Sequence, residues 1–297
     1  MARDAPERQQ GVVGLIGIGL VGTALAERFL AAGRTVLGFD IDPSALSRFE
    51  RLGGRPATGP IDVVEHCDRV VLSLPNSAIV AAIIDLVAPS LRSGQTLIDT
   101  TTGAPDDAVA AGEILKGRGV VYLDATISGS SEQVRRGEAV VIVGGDAAAV
   151  AICSDLFHGF SKAVHHVGPL GSGSRMKLVS NLVLGLNRAA LAEGLGLAQA
   201  WGLDLDQTLT VLRESASYSR AMDVKGPKMV QRDFTPEARL AQHHKDVRIL
   251  LESARRIHAR LPLSQVHEKL LEEAEAAGLG TLDNAAIIEV LLNERSD

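Results

Sequence analysis

The stretch GLIGIGLVGTALAERFL, residues 14–30, places Gly17, Gly19 and Gly22 between an apolar run and a helical pattern. Glycines fall into G-x-G-x-x-G spacing by chance often enough that the motif alone carries little weight. Its surroundings carry more. Val12–Ile16 reads as a buried strand, the residues after Gly22 read as a helix closing at residues 31–33, and a second strand pattern ends in Asp40, 18 positions after Gly22. Each part of that unit has a physical task. Gly17 permits a tight turn, Gly19 lets the backbone approach a pyrophosphate, and Gly22 allows close helix packing. Ile18, Leu20 and Val21 complete a loop whose following helix N-terminus offers amide donors and the positive end of a dipole. Asp40 would accept from ribose hydroxyls and repel a 2′-phosphate, which predicts NAD rather than NADP. The structural alternative is a glycine-softened turn, and the complete strand, loop, helix, strand and acid context favours the dinucleotide.

Outward from this unit, short Val/Ile/Leu runs alternate with helical patterns as far as residue 167: VVGLIG, TVLGFD, RVVLSL, TLIDT, VVYLD, AVVIVGG and AVHHV. That rhythm belongs to a parallel sheet, and the nearly continuous apolar runs belong to strands buried on both faces. After GPLGSGS (168–174) the strand patterns stop. Helical patterns follow at 175–201, 204–213, 239–258, 262–276 and 284–292. The expected architecture is α/β: an N-terminal Rossmann-type doubly wound parallel sheet at 11–170, followed by an all-α substrate and oligomerisation domain at 171–297. A long, apolar, largely buried helix joins them. Residues 1–10 read as a flexible polar leader without the apolar core of a signal peptide.

Composition narrows the function classes. The chain has 297 residues, is 46% hydrophobic and 22% charged, and carries a net charge of −6 without long runs of one sign. These values predict a folded protein and exclude the basic footprint of a nucleic-acid binder. A small anionic substrate stays compatible, because it answers to a few local cations. Cys67 and Cys153 form no CxxC pair, which points to a reducing cytoplasmic setting. The longest apolar region, at 178–186, is too short to span a membrane.

The second half holds polar residues in apolar company. Lys177 and Asn181 lie four apart on one helix face among Met176, Leu178, Val179, Leu182 and Val183. Desolvation moves a lysine towards the range a general acid or base needs. Against that stands a plain alternative, with Lys177 snorkelling to water and Asn181 bonding a neighbouring backbone. Lys245-Asp246 invites the same two readings. The tandem pairs His165-His166 and His243-His244 have poor chelating spacing and no cysteine or carboxylate beside them to complete a set, so no metal is expected. LSLPNS (72–77) and LIDTTTGAP (97–105), taken alone, are ordinary turns into helices begun by Pro75 and Pro105.

Taken in order, GLIGIGLVG, LPN, DTTTGAP, DATISGS with GEAVVIVGG, GPLGSGSRMKLVSN, HHKD, and LPL followed by AAGLGTLDNAAIIEVL resemble the β-hydroxyacid dehydrogenase family across residues 12–292. The resemblance implies that Lys177 is the proton donor and acceptor, that Asn181 orients it or the reacting oxygen, that Ser128 and Gly129 hold the substrate carboxylate, and that Ser130 lies in the loop lining the rest of the substrate pocket. Asp246 would hold the approach to the site. Leu74, Pro75, Asn76, Thr102 and Lys245 would border the cofactor. It further implies a short hydroxy acid or semialdehyde of the 3-hydroxyisobutyrate, tartronate semialdehyde or glyoxylate/succinic semialdehyde type as substrate, while the long apolar helix of the second domain, whose surface needs covering, points to a homodimer or homotetramer. Departures qualify the substrate. Val21 and Arg28 stand where many relatives have Met and Asn. Ser128-Gly129-Ser130 resembles the glyoxylate/succinic semialdehyde branch, yet Asp40-Ile41 replaces the Asn-Arg pair of NADP-using members. An imine reductase and a non-catalytic NAD-binding protein are the competing readings, and retention of Lys177 and Asn181 speaks against both.

Overall fold

The structure, a computed structural model, describes residues 11–292; the expected leader lies outside them. The chain divides into two compact units, one ending at Lys177 and the other beginning at Leu178.

The first unit is an eight-stranded sheet. Its strands are β1 (Val12–Ile16), β2 (Thr35–Phe39), β3 (Arg55–Pro56), β4 (Arg69–Leu72), β5 (Thr96–Asp99), β6 (Val121–Ser128), β7 (Ala139–Gly144) and β8 (Ser161–Gly168), in spatial order 3-2-1-4-5-6-7-8. Strands β1 to β6 are parallel, whereas β7 runs antiparallel to β6 and β8 parallel to β7. The expected sheet therefore turns over at its far edge. A parallel return needs a crossover of about a dozen residues or more. The β6–β7 link is shorter and holds only one small helix, so the chain comes back antiparallel.

The helices of this unit are α1 (Leu20–Ala31), α2 (Pro43–Arg51), α3 (Pro60–His66), α4 (Ser77–Val87), α5 (Pro105–Lys116), α6 (Ser131–Arg135), α7 (Ala147–Ile152) and α8 (Ser154–Phe160). They cover both sheet faces. Val71 of β4 joins the core that contains Phe29 of α1 and Phe157 of α8, while its neighbours Val70 and Leu72 join the core that contains Ile84 of α4 and Leu115 of α5. Alternation of side chains across a strand sends successive residues into opposite cores, and so the strands read as unbroken apolar runs. Arg28, one of the family departures, has a tie of its own: its Nε donates to the carbonyl of Gly159 at 2.8 Å and joins α1 to the end of α8.

Helix α9 (Ser172–Ala200) begins in the first unit and continues into the second, which also holds α10 (Leu205–Glu214), α11 (Arg220–Val224), α12 (Gly226–Gln231), α13 (Leu240–Arg256) and α14 (Pro262–Ala276). Residues Asn284–Val290 form 3-10 turns where a helix was expected. A buried core of Leu191, Leu195, Met229, Leu251, Leu271 and Ile287 holds this unit together. Helix α9 is not buried all round. Met176, Val179, Val183 and Leu184 are 43–53% exposed, a stripe at helical spacing that corrects the expectation of a largely buried helix. No helix among the described residues is long and apolar enough to cross a membrane.

Candidate functional site

At the carboxyl edge of the sheet, the strand order reverses between β1 and its neighbours β2 and β4, the place where open α/β sheets form a crevice. The loop Gly17–Gly19 leaves β1 there. Gly17 has φ +95°, and a Cβ on it would strike the carbonyl of Ser73; its amide donates to Phe39 O at 2.9 Å. A Cβ on Gly22 would strike the carbonyl of Gly17, so only glycine lets α1 approach the loop this closely. Gly19 differs from both. A Cβ there would meet nothing within 4 Å, and Gly19 caps α1 without a side-chain acceptor. The first-turn amides next to Leu20 and Val21 therefore open onto a bare, solvent-facing cradle, which is what a pyrophosphate requires.

Asp40 ends β2 with both carboxylate oxygens engaged. Oδ2 accepts from the Ile18 amide at 2.6 Å and Oδ1 accepts from the Asp42 amide at 2.8 Å. A carboxylate has roughly four acceptor positions, so ribose hydroxyls still find room on it. The residues present fit a dinucleotide: an uncapped helix end for the phosphates and an acid at the tip of β2.

Two further loops meet beside this one. The Leu74 amide donates to Thr101 Oγ1 at 3.1 Å, and the Ala104 amide donates to Ser77 Oγ at 3.0 Å, which knits the loop after β4 to the loop after β5. Pro105 opens α5 as expected, but Pro75 does not open α4: Asn76 is its N-cap, accepting from the Ile79 amide at 3.0 Å. Pro75 lies two residues before the first residue of the helix, Ser77. Thr102 is half-buried in the second loop. Sequence reasoning missed the acid below them. Asp99 is buried, accepts from Tyr122 OH at 2.6 Å and from the Thr101 amide at 2.9 Å, and burial raises its carboxyl to about 6.

Strand β6 ends at Ser128, after which Gly129 has φ +152° and Ser130 caps α6. Ser130 Oγ accepts from the Gln133 amide at 3.3 Å, while the Ser130 amide donates to Gln133 Oε1 at 2.9 Å. The cap takes Ser130 as an acceptor and leaves its hydroxyl hydrogen to donate. Asp124, lower on β6, is buried and accepts from the amides of Gly171 (3.0 Å) and Ser174 (2.7 Å). A carboxylate thus sits at the positive end of α9, one turn before Lys177. The glycine-rich GPLGSGS held the signal, since a bare helix start needs an acceptor from elsewhere.

Lys177 is 8% exposed and Asn181 7%, on the same face of α9. Asn181 does not bond a neighbouring backbone. Its Nδ2 donates to Asp246 Oδ2 of α13 at 3.0 Å, and Lys245 Nζ lies 3.2 Å from Asp246 Oδ1. The helical unit therefore gathers buried Asn181 and Asp246 with half-buried Lys245 into one polar cluster. Farther along the same face, His243 and His267 pack at Gly185, where a Cβ would come within 2.8 Å of both rings, and Arg188 is 2% exposed. Burial, with Arg188 second, lowers His267 to about 4. Cys67 and Cys153 are buried, and burial pushes their thiols up to about 12 and about 11, which leaves them inert as nucleophiles.

Known proteins resemble the chain over both units. Residues 12–168 match the family model of the NAD-binding domain of 6-phosphogluconate dehydrogenase, and residues 171–291 match that of the NAD-binding region of NADP-dependent 3-hydroxyisobutyrate dehydrogenase. L-threonate dehydrogenase of Cupriavidus necator is 30% identical over 282 residues, covering 94% of this chain and 95% of that protein. The 2-hydroxy-3-oxopropionate reductase of Escherichia coli is 28% identical, covering 94% and 96%. The crystal structure of 3-hydroxyisobutyrate dehydrogenase from Salmonella typhimurium has a TM-score of 0.86 at 26% identity, covering 94% of this chain and 99% of that one. Those matches, over both units and nearly full length, show that the chain belongs to the β-hydroxyacid dehydrogenase family and is an NAD(P)-linked oxidoreductase acting on CH–OH groups.

Proposed function

We propose that the protein is an NAD-dependent dehydrogenase that interconverts a short β-hydroxy acid and its semialdehyde, with Lys177 as proton donor and acceptor. The observation that carries this reading is a buried lysine one helical turn from Asn181, which is itself fixed by Asp246. Burying such groups is costly unless they are paired or used. Bound nicotinamide supplies the hydride chemistry, and the protein contributes position and a proton.

In this reading Lys177 Nζ gives a proton to the carbonyl oxygen during reduction and takes it from the hydroxyl during oxidation. Asn181 orients the lysine or the reacting oxygen, and its bond to Asp246 limits its rotation. Ser128 and Ser130 donate hydroxyl hydrogens, and Gly129 its amide, to the substrate carboxylate. Gly17, Ile18, Gly19, Leu20, Val21 and Gly22 cradle the dinucleotide phosphates. Leu74, Pro75, Asn76, Thr102 and Lys245 border the nicotinamide half. Asp40 selects NAD because a 2′-phosphate would bring like charge to a carboxylate already committed to two amides. The exposed stripe of α9, Met176 to Leu184, fits a homodimer or homotetramer, since apolar surface of this kind marks an interface.

The test is a panel of three- and four-carbon β-hydroxy acids and semialdehydes, assayed with both cofactors by nicotinamide absorbance. Turnover of at least one hydroxy acid and its semialdehyde with NAD and NADH is expected. Failure across the panel, with turnover of a cyclic imine instead, would overturn the substrate class.

A further inference from the structure

We propose a divalent-cation site between α13 and α14, formed by His244, Glu268 and Glu272 and suited to Zn²⁺. The expectation of no metal rested on the neighbours of His243-His244 along the chain. The fold changes those neighbours. Glu268 and Glu272 lie four apart on α14 and so share a face, and antiparallel packing of α14 on α13 brings that face to His244. A ring nitrogen of His244 and one carboxylate oxygen from each glutamate all lie within 4.8 Å of one another.

The histidine is what distinguishes this group from an ordinary acidic surface. His244 is 5% exposed, and its Nδ1 lies 3.0 Å from a carboxylate oxygen of Glu275. Its Nε2 is buried without a hydrogen-bond partner among the described residues. An imidazole that donates Nδ1–H to a carboxylate presents its lone pair at Nε2, the arrangement that orients and activates a metal-bound histidine. Leaving that nitrogen buried and unbonded carries a desolvation cost, and a cation held at Nε2 would remove it.

One imidazole and two carboxylates form a nitrogen and oxygen set that Zn²⁺ accepts, with a fourth position for water. Metal–ligand bonds of about 2.0–2.2 Å place tetrahedral ligand atoms about 3.3 Å apart. The atoms here must close by at most about 1.5 Å, which two glutamates on flexible two-carbon stems, one half-buried and one exposed, accommodate by rotation. The bound ion would cross-link α13 to α14 immediately before Lys245 and Asp246. Its role is to brace the helix that presents those residues.

The experiment uses the full-length untagged chain stripped with a chelator. Zn²⁺ is titrated by calorimetry, Co²⁺ is followed by its visible absorption, and melting temperature is recorded with each. One ion per chain, a rise in melting temperature and a Co²⁺ band of low-coordinate intensity are expected. Glu268→Gln/Glu272→Gln should weaken Zn²⁺ binding at least tenfold and abolish the thermal gain. Glu275→Gln should weaken it roughly tenfold through the imidazole. Glu273→Gln, exposed on the same helix, should change neither. Zn²⁺ affinity equal in the double variant and the parent, or no saturable binding by the parent, would overturn the site.

Discussion

Replacing Asp40 by Asn isolates one charge at the tip of β2. In the parent, Asp40 Oδ2 and Oδ1 accept from the amides of Ile18 and Asp42 at 2.6 and 2.8 Å. Asn keeps one acceptor and turns its NH₂ towards the other amide, which costs about 1–3 kcal/mol and lowers melting temperature by several degrees. Both cofactors meet that same weakened protein, so the fold's loss cancels in the ratio of their affinities, which reports the charge together with the 2′-hydroxyl acceptor that only NADH uses. Two unit charges on the order of 4 Å apart repel by about 1 kcal/mol in water and about 4 kcal/mol near a protein surface. Removing the carboxylate should therefore move the NADH-to-NADPH dissociation-constant ratio towards NADPH by roughly fivefold to nearly a thousandfold. Calorimetric titration of both cofactors into both proteins measures this. A parent that prefers NADPH, or a ratio unchanged in the variant, would refute the role given to Asp40.

Other substitutions test other parts. Gly22→Ala drives a methyl group into the Gly17 carbonyl, and should cost about 1–3 kcal/mol together with the thermal protection that NADH gives. Asn181→Asp places a second carboxylate where the amide lay 3.0 Å from Asp246; since such a pair does not ionise fully, the variant should gain stability relative to the parent as pH is lowered from neutral, and a flat difference from the parent would contradict it. His267, held down to about 4 from 6.5, favours the fold above pH 6.5, and that contribution of about 3 kcal/mol is lost as pH falls through 4. Denaturant titrations of His267→Asn should accordingly show a shallower acid limb, with Asp99 contributing the opposite slope below pH 6.

Local chemistry explains which features could be read from the chain. The glycine loop and Asp40 were legible because each glycine answers a constraint inside one strand-loop-helix unit. The strands were legible because burial on both faces leaves nothing polar to hide them. The reversal at β7 was not, since strand direction depends on a connection's length rather than on the strand's own residues. Lys177 and Asn181 stood out as polar residues in an apolar helix, yet the partner of Asn181 lies 65 positions away on α13. Asp99 was invisible for a related reason, its meaning lying in a hydroxyl brought to it by the fold; for Asp124, GPLGSGS showed that a helix start needed an acceptor, but only the fold shows which residue supplies it. The carboxylates facing His244 follow the same rule, being neighbours only across two helices.

The proposed reaction turns on Lys177 moving the proton. It is tested most directly by comparing turnover of the best panel substrate by Lys177→Ala and the parent, with nicotinamide binding measured on both. Loss of a positioned acid or base costs about 10²–10⁴-fold. A fall in kcat of at least about a hundredfold is expected, with the NADH dissociation constant changed no more than a few-fold. A variant that retains parental kcat across the pH range would contradict it.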